Sequence, residues 1–180
     1  MEISLTAMAT DCIVRGLFVL GGERLADHLN ADDTLDIRDA TLESLEDGHV
    51  VALASLEVPI TDLCVVVADG PRGAVARRIR DRADLVEIRV GPYTVVGDLR
   101  SPPGSGPFEV NRRRGAFIAM TEATVVNPAE AAAAVEWPVT LLVNWSQIGQ
   151  VLRAGTTVDA LQPLPSDYDP ASGHAREILP

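Results

Sequence analysis

The stretch DATLESL at residues 39–45 has a counterpart, EATVVNP, at residues 122–128. Each stretch begins with an acidic residue that is followed by Ala-Thr and an apolar residue. The two threonines, Thr41 and Thr124, lie 83 positions apart. A recurrence of this kind indicates an internal duplication when other positions repeat in the same order and at a similar spacing.

Three further pairs of segments repeat in that order. The matched residues are Gly16 with Gly97 (81 apart), Asn30 with Asn111 (81 apart) and Leu63 with Ile148 (85 apart). The offset between the members of a pair changes by only two residues at a time, and the changes fall where loops are expected. We therefore predict one small β module that is present twice.

The alternation of apolar and polar residues around the first signature changes phase. Leu35 and Ile37 occupy alternate positions, but Leu42 is out of step with them. The change occurs near Asp39-Ala40. An extra residue in a strand produces such a change, so the sequence predicts a β-bulge there.

The chain as a whole is typical of an all-β protein with one or two short helices. Its strand-like segments are rich in β-branched residues and are bounded by Gly, Asp and Asn. We predict two tandem small Sm-like or SH3-like β-barrels that arose by duplication. The predicted units are a first module (1–70), a basic helical linker (71–84), a second module (85–152) and an extended, proline-rich tail (153–180).

Connections are expected at three places within the modules. Residues 21–30 (GGERLADHLN) are interpreted as a loop closed by Asn30. Asp47-Gly48 suits a hairpin turn that needs positive φ. In the second module the matching connection, residues 127–137, has Pro128 followed by alanines, which favours a short helical turn.

The order of these features resembles the Sm-like fold, in which a short helix precedes a strongly bent five-stranded barrel. Three segments lie where the first Sm motif would be: Arg15-Gly16-Leu17, Asp27-x-x-Asn30 and Leu35-x-Ile37-x-x-Ala40. By this resemblance Asn30 would contact an RNA base. The second Sm motif, an Ile-Arg-Gly-like segment, is not found near residues 58–62.

The stretch Arg-Leu-x-Asp-x-Leu-Asn at residues 24–30, followed by Asp-Ala-Thr at 39–41, is also similar to a bacterial family of uncharacterised proteins. That resemblance implies a bacterial origin and no particular activity.

Charge is distributed unevenly along this acidic chain, whose net charge is −11. Residues 1–70 hold 14 acids and 3 arginines (−11), and residues 71–114 hold 10 arginines and 5 acids (+5). Residues 115–180 hold 7 acids and 2 arginines (−5). A general nucleic-acid binder needs a positive surface, so the overall balance disfavours that class.

The location predicted for the protein is the cytoplasm. No run approaches the roughly 20 apolar residues that span a bilayer, so no membrane association is expected. The N-terminus has no basic segment before an apolar run, as a secretory leader would. Cys12 and Cys64 lie in apolar surroundings and are interpreted as buried thiols in a reducing compartment.

Two charged groups are the candidate partner-binding residues. The first is an acidic cluster before and within a predicted strand: Asp32, Asp33 and Asp36. The second is a basic group: Arg77, Arg78, Arg80, Arg82, Arg112, Arg113 and Arg114. Aromatic residues that would stack on bases are missing near these arginines, and the planar guanidinium suits carboxylates, so a protein partner is favoured.

Catalytic, cofactor and metal sites are not predicted. The three histidines have no serine or cysteine in a nucleophile-elbow setting. The acidic cluster lacks the spacing and central glycine of a calcium loop, and SPPGSGP at 101–107 lacks the phosphate-loop pattern. Asp36 is expected on the strand face opposite Leu35 and Ile37, as part of a solvated surface.

The sequence therefore predicts a non-enzymatic interaction or scaffolding module that associates with itself. In this hypothesis the acidic first module meets the basic linker region of a neighbouring copy or of another protein. Two alternatives remain: an Sm-like RNA-binding protein, and a small ligand-binding or enzymatic barrel that uses the cleft between the modules.

Overall fold

The computed structural model describes residues 1–68, 82–105, 108, 115–127 and 135–153. Ten strands and one α-helix make up this part of the chain. The elements are β1 (Glu2–Ala9), β2 (Cys12–Val19), α1 (Leu25–Ala31), β3 (Thr34–Ser44), β4 (Val50–Pro59), β5 (Leu63–Ala68), β6 (Arg82–Val90), β7 (Tyr93–Ser101), β8 (Phe117–Val126), β9 (Val135–Asn144) and β10 (Ile148–Arg153). Single 3₁₀ turns, Ile60–Asp62 and Trp145–Gln147, connect β4 to β5 and β9 to β10.

All ten strands belong to one antiparallel sheet, which confirms the all-β class. Their order is β10-β6-β7-β8-β9-β5-β1-β2-β3-β4. The strands of the first half (β5-β1-β2-β3-β4) therefore follow the same order as those of the second half (β10-β6-β7-β8-β9). The expected closure into two separate barrels is not found, because β9 pairs with β5 and makes one open sheet of both halves.

The bulge predicted at Asp39 is confirmed, and β8 has one at the corresponding place. Between β2 and β3 the register shifts at Gly16, and between β7 and β8 it shifts at Gly97. Asp39 (φ 47°) and Glu122 (φ 50°) are the two non-glycine residues with positive φ in the described part of the chain. The acid-Ala-Thr signatures are thus the two bulges.

Glycine is required opposite each bulge, because the bulged strand approaches too closely for a side chain. A Cβ on Gly16 would lie 2.6 Å from the carbonyl oxygen of Arg38, and one on Gly97 would lie 2.5 Å from the Cβ of Ala123. Real Cβ atoms do not come so near to other atoms. The recurrence of Gly with acid-Ala-Thr therefore has a single steric cause.

The described residues form two hydrophobic cores, of which the first comes mostly from the first half of the sheet and the second from both halves. β3 shows the alternation that builds the first core: Leu35 and Ile37 are fully buried, while Asp36 between them is exposed, as predicted. β5 differs, because residues 63–67 are all buried. Leu63 and Val66 belong to the first core and Val65 to the second, so β5 is covered on both faces.

The connection at residues 21–30 is not the expected loop. α1 occupies Leu25–Ala31 and buries Leu25 and Leu29 against the first core. The backbone N–H of Arg24 donates to the Asp27 carboxylate, 3.4 Å away, at the start of the helix. Two buried leucines four residues apart provide the packing that stabilises so short a helix.

Other predicted connections have mixed outcomes. The turn at Asp47-Gly48 joins β3 to β4, and Gly48 has the expected positive φ of 70°. β6 begins at Arg82, so residues 82–84, placed in the helical linker by the sequence, belong to a strand. The connection expected at 127–137 is shorter than predicted, because residues 135–137 belong to β9. The rest of the linker (71–81), residues 128–134 of that connection and the tail from 154 onward lie outside the described residues.

Candidate interaction surfaces: the inner joint and the two free edges

The two halves of the sheet meet where β5 pairs with β9, a contact that we call the inner joint. The paired residues are Val65 with Val143, Val66 with Leu142, and Val67 with Leu141. All six side chains are buried. The inner joint is therefore a strand pair whose side chains complete the cores on either side of it.

Asn144 closes one end of the inner joint with its side chain. Its Nδ2 donates to the carbonyl oxygen of Leu63 across the joint at 2.8 Å, and its Oδ1 accepts from the backbone N–H of Ser146 at 3.0 Å and from Ser146 Oγ at 2.7 Å. Asn144 is only 1% exposed. A buried amide with its donor and acceptor both used specifies the register of the strands around it.

Two more side chains of the second half donate to backbone carbonyls of the first half. Tyr93 Oη donates to the Ala9 carbonyl at 2.8 Å in a buried position, and Gln147 Nε2 donates to the Thr61 carbonyl at 2.8 Å. The inner joint thus has three polar contacts from side chains in addition to the hydrogen bonds between its strands.

Asn30 provides a fourth link between the halves. Its Oδ1 accepts from the backbone N–H of Phe117 at 2.8 Å, and its Nδ2 donates to the carbonyls of Ala26 (2.8 Å) and Phe117 (3.2 Å). The amide that the Sm resemblance would offer to an RNA base is therefore bonded to the start of β8. This arrangement gives Asn30 a role in joining α1 to the second half.

Among the strands that the structure describes, β4 and β10 have a neighbour on one side only and form the outer edges of the sheet. Val50 (53% exposed) and Val51 (39% exposed) on β4 are among the most exposed large apolar residues described. On β10, Val151 and Leu152 are half-buried. Edge strands present unpaired N–H and C=O groups and are ready to accept another strand.

The predicted basic site is described at one residue only. Arg82 forms an ion pair with Asp84 at 2.6 Å on the same strand. The other six arginines, Arg77, Arg78, Arg80, Arg112, Arg113 and Arg114, lie outside the described residues. The predicted contact between the arginine group and the acidic cluster therefore stays a prediction.

The predicted acidic residues lie on the surface where α1 leads into β3. Asp32, Asp33 and Asp36 are exposed. The Asp32 carboxylate contacts His28 Nδ1 at 2.6 Å, and the Asp33 carbonyl accepts from the N–H of Ile60 at 2.9 Å. Within the described segments, no group of three or more His, Cys, Asp or Glu residues is arranged to hold a metal ion.

His28 is the histidine with the most developed surroundings. Its ring packs on Phe18 with the ring centres 4.8 Å apart, and its Nε2 is buried without a hydrogen-bond partner. Asp32, four residues later on the helix, is the carboxylate that it contacts. The ring contact with Phe18 therefore packs α1 against β2.

A shallow depression lies in the first half, beside the turn between β1 and β2. Thr10, Asp11, Cys12 and Leu42 contribute to its lining. Burial, and then the neighbouring Asp11, raises the pKa of Cys12 to about 11. A nucleophilic cysteine needs a lowered pKa. The thiol in this depression is therefore protonated at neutral pH and is not prepared for covalent catalysis.

No helix in the described segments is long and apolar enough to cross a bilayer. Sequence reasoning missed Tyr93, Asn144 and Gln147, since nothing local distinguishes a side chain that bonds to a strand about 80 residues away.

Comparison of the chain with protein-family models, with curated proteins and with solved structures finds no match.

Proposed function

We propose that this protein is a non-enzymatic interaction module that associates with copies of itself in one direction, through the free edges of its sheet. The observation that supports this function best is the contrast within the sheet order. The sheet ends at β4 and β10, while β9 and β5, which hold the corresponding places in the other half, pair with each other.

The free edges supply the binding surface. A strand that pairs with an edge gains main-chain hydrogen bonds along its length, and side chains on alternate positions provide selectivity. A contact between two different edges is heterologous, so each copy that binds a neighbour through one edge still has its other edge free. Repetition of this contact gives rings or filaments. Self-association of this kind needs no catalytic group.

The charge distribution supports a fixed direction for the contact. Residues 1–70 have a net charge of −11, and residues 71–114 have a net charge of +5. In a head-to-tail contact the first half of one copy approaches the second half of the next, so opposite charges come nearer than in a head-to-head contact. We include the basic linker arginines in this proposal as attracting groups for an acidic neighbour.

We also propose that the chain arose by duplication of one small barrel-like β module. The repeated strand order, the two bulges and the two facing glycines support this origin. A duplicated module that pairs with its own copy within the chain would retain, at its two ends, the surfaces from which that contact evolved.

Sedimentation velocity over a hundredfold range of protein concentration, at low and at moderate salt, tests the proposal. We expect the mean mass to rise with concentration, and to rise more at low salt. Val151→Asp places a charge on the β10 edge and should abolish the rise. Val19→Asp, a charge at an exposed position (45%) on the inner strand β2, is the control for the added charge alone and should not. A monomer under every condition would contradict self-association.

A further inference from the structure

We infer that β4 of one copy pairs with β10 of the next, in the same register as the inner joint; we call this contact the outer joint. The outer joint is the weaker of the two, because it lacks the side-chain hydrogen-bond donors that stabilise the inner joint. The inference rests on the proposed function and specifies its partner, a second copy of this chain, and its geometry.

The register follows from matching positions at the ends of the strands. Both β5 and β10 follow a 3₁₀ turn, and both have a register irregularity between their first and third residues, opposite β1 and β6 respectively. Val65, the third residue of β5, pairs with Val143, the residue before the last of β9. The corresponding residues of the outer strands are Gln150 of β10 and Val58 of β4, which we expect to pair between copies. In the same register, Val151 pairs with Glu57, and Leu152 pairs with Leu56.

The donors of the inner joint have no equivalents at the outer joint. Asn144 is the last residue of β9, and Pro59, without any donor, ends β4. Gln147 ends one 3₁₀ turn, and Asp62, whose carboxylate only accepts, ends the other. Tyr93 begins β7, and Cys12, a weak donor, begins β2. At the outer joint, the three carbonyls that correspond to those of Leu63, Thr61 and Ala9 would therefore be left to water or unpaired.

One apolar contact is also replaced by a charge. Leu142, which packs in the first core at 8% exposure, corresponds to the exposed Glu57 on β4. A charged side chain on an edge strand is a common device against permanent edge-to-edge pairing. The outer joint is therefore built for reversible contact, whereas the inner joint is permanent.

The triple variant Glu57→Leu, Pro59→Asn and Asp62→Gln gives β4 and the 3₁₀ turn after it the side chains that Leu142, Asn144 and Gln147 provide at the inner joint. The backbone accepts this change, because Pro59 (φ −60°, ψ 127°) and Asn144 (φ −75°, ψ 108°) have similar conformations. Two added hydrogen bonds and one apolar contact should lower the dissociation constant of the full chain at least about tenfold. An equal or weaker association of the folded variant would overturn the inference that the missing side chains limit the contact.

Cysteine cross-linking tests the register separately, in a Cys12→Ser background. Chains carrying Glu57→Cys, mixed with chains carrying Val151→Cys, should form a disulfide dimer, since paired residues bring the Cα atoms within disulfide range. Chains carrying Gln150→Cys are the control, because a one-residue shift turns the side chain to the other face. If the chains associate but only those carrying Gln150→Cys form the disulfide, the proposed register is wrong and the proposed function is unaffected. A chain that stays monomeric and never cross-links would refute both.

Discussion

The inner joint and the outer edges are made from corresponding strands, yet only the inner joint is paired within the chain. At the inner joint, β5 and β9 bury every paired side chain, and Asn144 and Tyr93 bond to carbonyls of the other half. At the edges, β4 carries Glu57 and ends in Pro59, and the apolar residues of β10 are half-buried. The difference teaches that unpaired backbone groups alone do not make a permanent joint; side chains decide it.

The largest expected effect comes from charging the inner joint. Val66→Asp places a carboxylate at a fully buried position in the middle of β5, and should reduce the free energy of unfolding by more than about 4 kcal/mol. Val151→Asp makes the same change at the matching place on β10 and should cost far less. Urea unfolding followed by circular dichroism measures both, and similar losses would show that the edge is as buried as the joint.

A smaller loss is expected when the buried amide at the joint is removed. Asn144→Ala leaves the Leu63 carbonyl without its donor and Ser146 without its acceptor, which should cost about 2–3 kcal/mol. Pro59→Ala, at the matching position of β4, removes no donor and should change stability by less than about 1 kcal/mol. If chemical denaturation gives the two variants equal midpoints, Asn144 does not distinguish the joint from the edge.

A single hydroxyl at the joint should have a still smaller effect. Tyr93→Phe keeps the ring, which is 1% exposed, and removes the bond to the Ala9 carbonyl. We expect a loss of about 1–1.5 kcal/mol by thermal or chemical unfolding. Cys12→Ala changes the matching residue of the first half and serves as the comparison. A stability unchanged by Tyr93→Phe would mean that water replaces the phenol at this carbonyl.

The last expected effect is confined to alkaline pH and concerns the thiol of Cys64. Burial raises the pKa of Cys64, beside the inner joint, from 9.0 to about 11. Because the folded-state pKa is the higher one, the thiol's contribution is complete below pH 9 and is lost as the pH rises toward 11. The fall in stability between pH 8.5 and 10.5 should therefore be shallower in Cys64→Ala. Parallel slopes in the two proteins would exclude this contribution.

The local features of the fold could be predicted from the sequence. The phase change after Ile37 located the bulge at Asp39, and the alternation of Leu35, Asp36 and Ile37 identified the buried face of β3. Both signals lie within a few residues of the structure that they specify. α1 was missed because it has seven residues and its N-cap is Arg24, in place of the Ser, Thr, Asp or Asn that usually marks a helix start.

The inner joint could not be predicted, for a different physical reason. The bond from Asn144 to Leu63 spans 81 residues, and that from Tyr93 to Ala9 spans 84. Which strand covers the open side of β5 depends on the register of two completed half-sheets, and no local pattern contains that information. The same limit explains why two closed barrels were expected where the strands form one open sheet.

The double-sided burial of β5 has a consequence for the nascent chain at the ribosome. When residues 1–68 have emerged, β5 can pair with β1, but β9, which covers its other side, is still to be translated. During that interval Val65 and Val67 face water along an unprotected strand, a state that favours aggregation. Translation speed between the two halves, and chaperone occupancy at that stage, should therefore govern the yield of correctly folded protein.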